Sequence, residues 1–401
     1  MSRKPLIDLI YIDSGGGHRA AAQAIEAVVG EERKPWDLCL HGAQDLLNSI
    51  DFIRKATGIP FEEIYNILLR RGWTRGSRQL IVISHLLIRM SHRSQVEVLA
   101  EHWRNHPVDM VVSLIPHYNR ALCQAFASVC PGRPFVTIMT DIADYPPHFW
   151  IEEQDQYLIC GSERASDQAR RLHLPAERIL PMSGMILHPR FHKAAAERSI
   201  DRASQRIALG LQPDLPTGLV LFGGIGSNDT VRVVRALNRQ GSGLQLIVLC
   251  GRHEASLAAL RAMDAQIPMH IEGFTKEVPY FMSLADFFIG KPGPGSISEA
   301  LAMNLPVVVE CNLRTMVHER YNAQWVREQQ VGLVVENFDT IEQAVAELLQ
   351  PDHFHRFRAN ASRLRNTAVY DAVEWLERIL EKHPVADGDA RTAEALVASK
   401  H

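Results

Sequence analysis

The sequence lacks a long hydrophobic run. No apolar stretch approaches the ~20 residues that cross a bilayer as a helix, so any membrane contact is expected to be peripheral. It lacks an excess of charge of either sign: 43 Lys+Arg stand against 46 Asp+Glu, a net charge of −3. The basic footprint of a nucleic-acid binder is therefore missing. Six cysteines (Cys39, Cys123, Cys130, Cys160, Cys250, Cys311) are scattered, none in a Cys-x-x-Cys pair. That excludes a zinc ribbon or a redox motif, and the thiols read as reduced core residues of a cytoplasmic protein. There is no Gly-Lys-Ser/Thr P-loop, no Asp-x-Asp at a strand end and no His/carboxylate cluster with ligand spacing, so no metal and no cofactor are expected. The start, "MSRKPLIDLIYI", is charged early and too briefly apolar for a secretory signal.

What the chain does have, in 401 residues, is alternation. Short apolar runs at 6–12, 110–114, 135–140, 156–160, 219–222, 245–250, 287–289 and 306–309 read as strands, with helical patterns between most of them. This predicts an α/β protein of parallel sheets built from βαβ units, whose ligands bind at the carboxyl ends of strands. The length suits two domains, divided as 1–195 and 196–369. "AVYDAVEWLERILEK" is a late amphipathic helix, and the small polar tail 384–401 is expected to be disordered.

Three stretches carry candidate chemistry. "DSGGGHRAAAQAIEA" leaves the first strand through glycines and enters a helix at once, with Gly16, Gly17 and then His18 at its start. Glycines here serve either close helix–sheet packing or the approach of a ligand to the backbone, and a helix start favours negative charge. "LFGGIGSNDTVRVVRAL" repeats the arrangement, with Gly224 and Gly226 in the turn and Ser227, Asn228 or Asp229 as caps. "GKPGPGSISEALAM" places Gly293, Pro294, Gly295, Ser296 and Ile297 before a helix expected to begin near Ser296. Glu299, three residues on, is either half of a capping box or a carboxylate for a ribose diol.

On these residues the chain resembles the monogalactosyldiacylglycerol synthases and processive diacylglycerol glycosyltransferases, and more distantly the peptidoglycan N-acetylglucosaminyltransferase. "SGGGHRAAAQAI" matches the family's GGGH turn, "KPGPGSISEA" its nucleotide block, and "MTDIADYPPHFW" and "GFTKEV" further segments, over most of 5–383. The resemblance implies a GT-B fold: two Rossmann-like domains, the first on the acceptor side, the second binding a UDP-sugar, with the last helix, 370–383, packing back on the first. It implies that residues 293–297 touch UDP, Glu299 the ribose, Gly273 and Phe274 the uracil, and Glu319 and Asn322 the donor sugar. Two positions depart from the family: His318 replaces a glutamine, and His188 stands where a phosphate-binding arginine is expected, with Arg190 nearby as its substitute.

The expected reaction is an inverting transfer of galactose or glucose from a UDP-sugar to a lipid, diacylglycerol first, giving a β-glycoside. His18 is the first choice of base and Asp141 the second, as base or as a group orienting His18. Other acceptors, a UDP-sugar epimerase and a non-catalytic nucleotide-sugar-binding protein are the alternatives. No obligate protein partner is evident. Residues 64–96 hold Arg70, Arg71, Trp73, Arg75 and Arg78 among apolar residues and no acidic one, which suits an anionic membrane surface or a core-facing helical pair. The first of these puts the protein on the inner face of the cell membrane.

Overall fold

The computed structural model describes residues 3–13, 16–47, 88–145, 148–196, 201–239, 241 and 243–384. Two six-stranded parallel sheets form the frame. The first joins β1 (Leu6–Tyr11), β2 (Asp37–Gly42), β3 (Met110–Ser113), β4 (Phe135–Ile138), β5 (Tyr157–Cys160) and β6 (Ile179–Pro181) in the order β2-β1-β3-β4-β5-β6. The second joins β7 (Thr217–Leu221), β8 (Gln245–Leu249), β9 (Met269–Glu272), β10 (Phe287–Gly290), β11 (Val307–Glu310) and β12 (Gly332–Val335) in the order β12-β11-β10-β7-β8-β9. Strands β3, β4, β5, β7, β8 and β10 are buried along their whole length, as helices on both faces of a parallel sheet require.

Each sheet reverses its strand order once, between β1 and β3 and between β7 and β10. A reversal opens a crevice at the carboxyl ends of the strands, where ligands bind in such sheets. The helices that matter below are α1 (Gly17–Glu31), α2 (His92–Asn105), α3 (Pro189–Ala196), α4 (Asp229–Leu237), α5 (Pro294–Ala302), α6 (Arg320–Gln329) and α7 (Ala368–Lys382). The small buried face of α1 (Ala21, Ala22, Ala24, Ile25) shares a core with Val369, Ala372, Val373, Leu376 and Ile379 of α7. The last described helix therefore returns to the first sheet.

The chain crosses between the sheets twice, and the crossings are bonded to each other. Thr367 donates its backbone N–H to Ser183 Oγ (2.7 Å), Ser183 donates its own to Asp371 (2.8 Å), and the Asn366 amide donates to the Met185 carbonyl (2.9 Å). A third apolar cluster spans the sheets, with Met139, Phe149 and Trp150 from one side and Met316 and Val317 from the other.

Two sequence expectations are corrected here. The strand reading missed β2, β6, β9 and β12, which are the four sheet edges. The helix expected near Ser296 begins at Pro294, with Gly293 as its cap. Arg70, Arg71, Trp73, Arg75 and Arg78 lie outside the described residues, as does all but the first residue of the tail 384–401.

Candidate active site

The first crevice is built from the ends of β1 and β3. Gly16 caps α1 in the left-handed region (φ 86°), which glycine tolerates without strain. A Cβ added at Gly16 or Gly17 would meet nothing within 4 Å, so neither glycine is there for tight packing and the backbone faces open space. His18 follows in the first turn. Its Nδ1 lies 2.9 Å from the Leu114 carbonyl oxygen, just past β3, and 2.9 Å from Thr140 Oγ1. A carbonyl only accepts, so Nδ1 carries the ring proton and Nε2 presents a lone pair. Burial holds His18 below the ordinary histidine range, opposed by the charge of Asp141 and the bond to Leu114.

Asp141 is 6% exposed. It accepts a hydrogen bond from Trp150 Nε1 (2.8 Å), and the Trp150 ring lies 5.9 Å from that of His18. The orienting partners of His18 are thus Leu114 and Thr140, while Asp141 acts on it through charge.

The second crevice joins both remaining glycine-rich stretches. Gly223 (φ 80°) lies two residues past the end of β7, and a Cβ there would lie 3.7 Å from Lys291 Cε, in the loop after β10. Lys291 donates to Glu319 Oε1 (2.7 Å), and a Cβ at Gly293 would lie 3.7 Å from the same oxygen. Glu319 is buried; burial raises its carboxyl, but Lys291 and His318 outweigh this and hold it below the usual range. The Asn322 amide donates to the Pro292 carbonyl (2.9 Å), while its buried Oδ1 has no hydrogen-bond partner among the described residues. The N–H groups at the start of α5 adjoin this loop, so the site offers a lysine paired with a buried carboxylate, helix-start donors and one unfilled acceptor, Asn322 Oδ1.

Glu299 sits one turn into α5, and α5 has no side-chain cap. The capping-box reading therefore does not hold, because Ser296 lies inside the first turn. Burial pushes the Glu299 carboxyl up to about 7, opposed by the charge of Arg190. Arg190, not His188, is the cation whose charge acts on Glu299; its Nε is buried with no hydrogen-bond partner among the described residues.

The other expected residues divide. Gly224 is open, but a Cβ at Gly226 (φ 79°) would fall 2.2 Å from the Cys250 carbonyl oxygen, so Gly226 serves the turn itself. Gly273 and the half-exposed Phe274 follow β9; the Arg252 guanidinium covers the Phe274 ring at 4.4 Å, and the Arg252 N–H bonds the Gly224 carbonyl. The two walls approach at His318, which stacks on Phe149 (5.8 Å, 12°) and whose charge also depresses His18. Sequence reasoning missed Lys291, Thr140 and Trp150, although Lys291 opens the quoted "KPGPGSISEA" block. It also expected no His/carboxylate cluster. Asp8, His41 and His102, distant in sequence, are brought together by β1, β2 and α2, with ligating atoms within 4.8 Å of one another.

Of the membrane stretch, residues 92–96 belong to α2, a helix with Gln95, Leu99, Ala100 and Trp103 buried. Just before it, Met90 is 76% exposed. Among the described residues no helix is long and apolar enough to cross a membrane.

Comparison with known proteins agrees with this frame. Residues 219–375 match the glycosyltransferase family 28 C-terminal domain. A probable monogalactosyldiacylglycerol synthase 2, chloroplastic, of Oryza sativa subsp. japonica is 26% identical over 394 residues, covering 93% of this chain and 80% of that protein. Acinetobacter baumannii MurG superposes with a TM-score of 0.57 at 13% identity, over 93% of this chain and 99% of MurG. The UDP-GlcNAc 2-epimerase of Neisseria meningitidis, bound to UDP-GlcNAc, gives 0.57 at 12% identity, over 94% and 100%. The fold is GT-B, and the expected resemblance to the galactolipid synthases is borne out.

Proposed function

We propose that this chain, a glycosyltransferase with a family 28 C-terminal domain, moves galactose or glucose from a UDP-sugar to the hydroxyl of a lipid, diacylglycerol first, with inversion to a β-glycoside. The observation that carries the reading is the pair of walls. One presents a neutral imidazole with a free Nε2. The other presents a lysine, a buried carboxylate and a helix start around one loop.

In this reading the acceptor hydroxyl attacks the anomeric carbon as His18 Nε2 takes its proton. The sugar–phosphate bond breaks and its electrons leave with UDP. Lys291 and the backbone donors of residues 293–297 stabilise the diphosphate. Glu299 accepts from the ribose hydroxyls, and Arg190 offsets charge beside it. Glu319 and Asn322 Oδ1 accept from the donor sugar. Gly273 and Phe274 flank the base. Gly16, Gly17 and Gly224 leave room for the substrates. His18 and the loop groups complete the transfer without a cofactor or a bound metal in this scheme.

The lipid acceptor rests on the relatives, which are monogalactosyldiacylglycerol synthases. It calls for peripheral attachment to an anionic membrane, the inner face of the cell membrane in our reading, through Arg70, Arg71, Trp73, Arg75 and Arg78. An epimerase shares the fold at 12% identity, so the fold alone does not separate the two.

The test is incubation with UDP-galactose or UDP-glucose and vesicles containing diacylglycerol, followed by mass spectrometry and NMR of the product. A β-hexosyl lipid is expected. Conversion of the UDP-sugar to another sugar nucleotide, with no glycolipid formed, would overturn the reading in favour of an epimerase.

A further inference from the structure

We propose that Asp8, His41 and His102 form a binding site for a divalent transition-metal ion of zinc type, remote from the transfer chemistry. The three residues come from the middle of β1, the end of β2 and the last turns of α2. Asp8 is 1% exposed, and its two oxygens face the two rings: His41 Nε2 lies 3.2 Å from Oδ1 and His102 Nε2 lies 3.6 Å from Oδ2. Zinc binds imidazole nitrogen and carboxylate oxygen at about 2.0–2.2 Å in tetrahedral geometry, which sets ligand atoms roughly 3.3–3.5 Å apart. The observed separations lie just either side of such an edge; at 3.2 Å His41 Nε2 hydrogen-bonds Asp8 Oδ1, and an ion would take the place of that proton. The 3.6 Å gap is too long for a hydrogen bond, and His102 Nε2 is buried with no hydrogen-bond partner among the described residues. A buried, unpaired ring nitrogen aimed at a carboxylate is what an ion between them would satisfy.

The surroundings fit a held ligand set. Trp103 Nε1 donates to Asp8 Oδ2 (2.9 Å) and fixes the plane of the carboxylate, the role that outer-shell partners play at metal sites. Cys39 is the register partner of Asp8 across β1 and β2, and its thiol approaches His41. Two imidazole nitrogens with a carboxylate favour zinc over magnesium or calcium. The site lies midway along β1, whereas His18 lies beyond its end, so the ion would brace β1, β2 and α2 without touching substrate.

The experiment uses the full chain purified without a polyhistidine tag. Expected are one zinc per chain by elemental analysis, a visible absorption band on Co²⁺ substitution that Zn²⁺ displaces, and a melting temperature raised by added Zn²⁺. His41→Gln with His102→Gln, checked for folding by circular dichroism, is expected to lower zinc affinity more than 100-fold. No Co²⁺ band and no melting shift in the wild-type chain would overturn the proposal and leave an imidazolium–carboxylate pair. So would equal zinc affinity in the double variant.

Discussion

His18 and Leu114 are joined by a bond from the imidazole Nδ1 to a main-chain carbonyl, 2.9 Å long, and that bond decides which nitrogen can accept a proton. The partner is backbone, so no substitution of the Leu114 side chain removes it directly. His18→Ala is expected to lower kcat by about 10²-fold or more, the usual scale for a general base, and to leave UDP affinity within about twofold. Steady-state kinetics with calorimetry checks both. Near wild-type turnover would make His18 structural and pass the role to Asp141.

The pH profile tests the electrostatics. His18 must be neutral to act, and burial lowers its pKa, so the acidic limb of kcat/KM should fall below the ordinary imidazole value of about 6.5. Asp141 raises that pKa through its charge. Asp141→Asn, which can still accept from Trp150, should move the limb to lower pH and weaken the base. A limb that moves upward would contradict the assignment.

Glu299 titrates near neutrality in the free protein, at about 7. Ribose hydroxyls donate to its ionised form, so UDP affinity should rise as pH goes from 6 to 8, with proton release on binding. Glu299→Ala should cost about 1–3 kcal/mol of UDP binding and abolish that pH dependence. Calorimetry in buffers of different ionisation enthalpy measures both.

Lys291 and Glu319 should be separable by a double-mutant cycle. Lys291→Met strands a buried carboxylate and should cost about 1 kcal/mol of stability, a low figure because Lys291 is a third exposed and solvent screens the pair. Adding Glu319→Gln should restore stability but not turnover. Urea titration beside kinetics distinguishes the two effects; recovery of turnover would argue against a role in the site.

Two glycines should behave in opposite ways. Gly17→Ala meets open space on a helix and should leave stability unchanged or raise it by up to about 1 kcal/mol, while turnover falls because the methyl occupies substrate space. Gly226→Ala collides with the Cys250 carbonyl at positive φ and should destabilise strongly. Thermal melts rank the pair.

Vesicle sedimentation tests the arginine-rich stretch. Binding should rise with anionic lipid and fall with salt, and it should drop when Arg70, Arg71, Arg75 and Arg78 become Ser. Equal partitioning at low salt would point instead to a soluble acceptor.

The sequence revealed the interior of each sheet and hid its edges. Strands such as β3 and β8 are apolar along their whole length because helices cover both faces. By contrast "DLCLHG" of β2 and "MHIE" of β9 are part-exposed and mixed in polarity, so periodicity did not mark them. Among candidate site residues, His18 and Glu299 were named from contiguous motifs. Thr140 was not, because its relation to His18 exists only once β1, β3 and β4 lie side by side. Asp8, His41 and His102 were hidden for the same reason: their spacing along the chain says nothing of their spacing in the sheet.

The bonded crossings at Ser183 and Thr367 have a mechanical consequence. Two neighbouring chain segments tied together make a ribbon, and a ribbon bends out of its plane more readily than within it. Hinges of this kind are a few element-terminal residues that absorb the backbone change. Any motion of one wall against the other must pass through these two bonded crossings. The pin is narrow: a Cβ at Gly184 would press within 2.9 Å of the Asn366 amide. One methyl there would push the Asn366 amide aside and disturb its bond to the Met185 carbonyl.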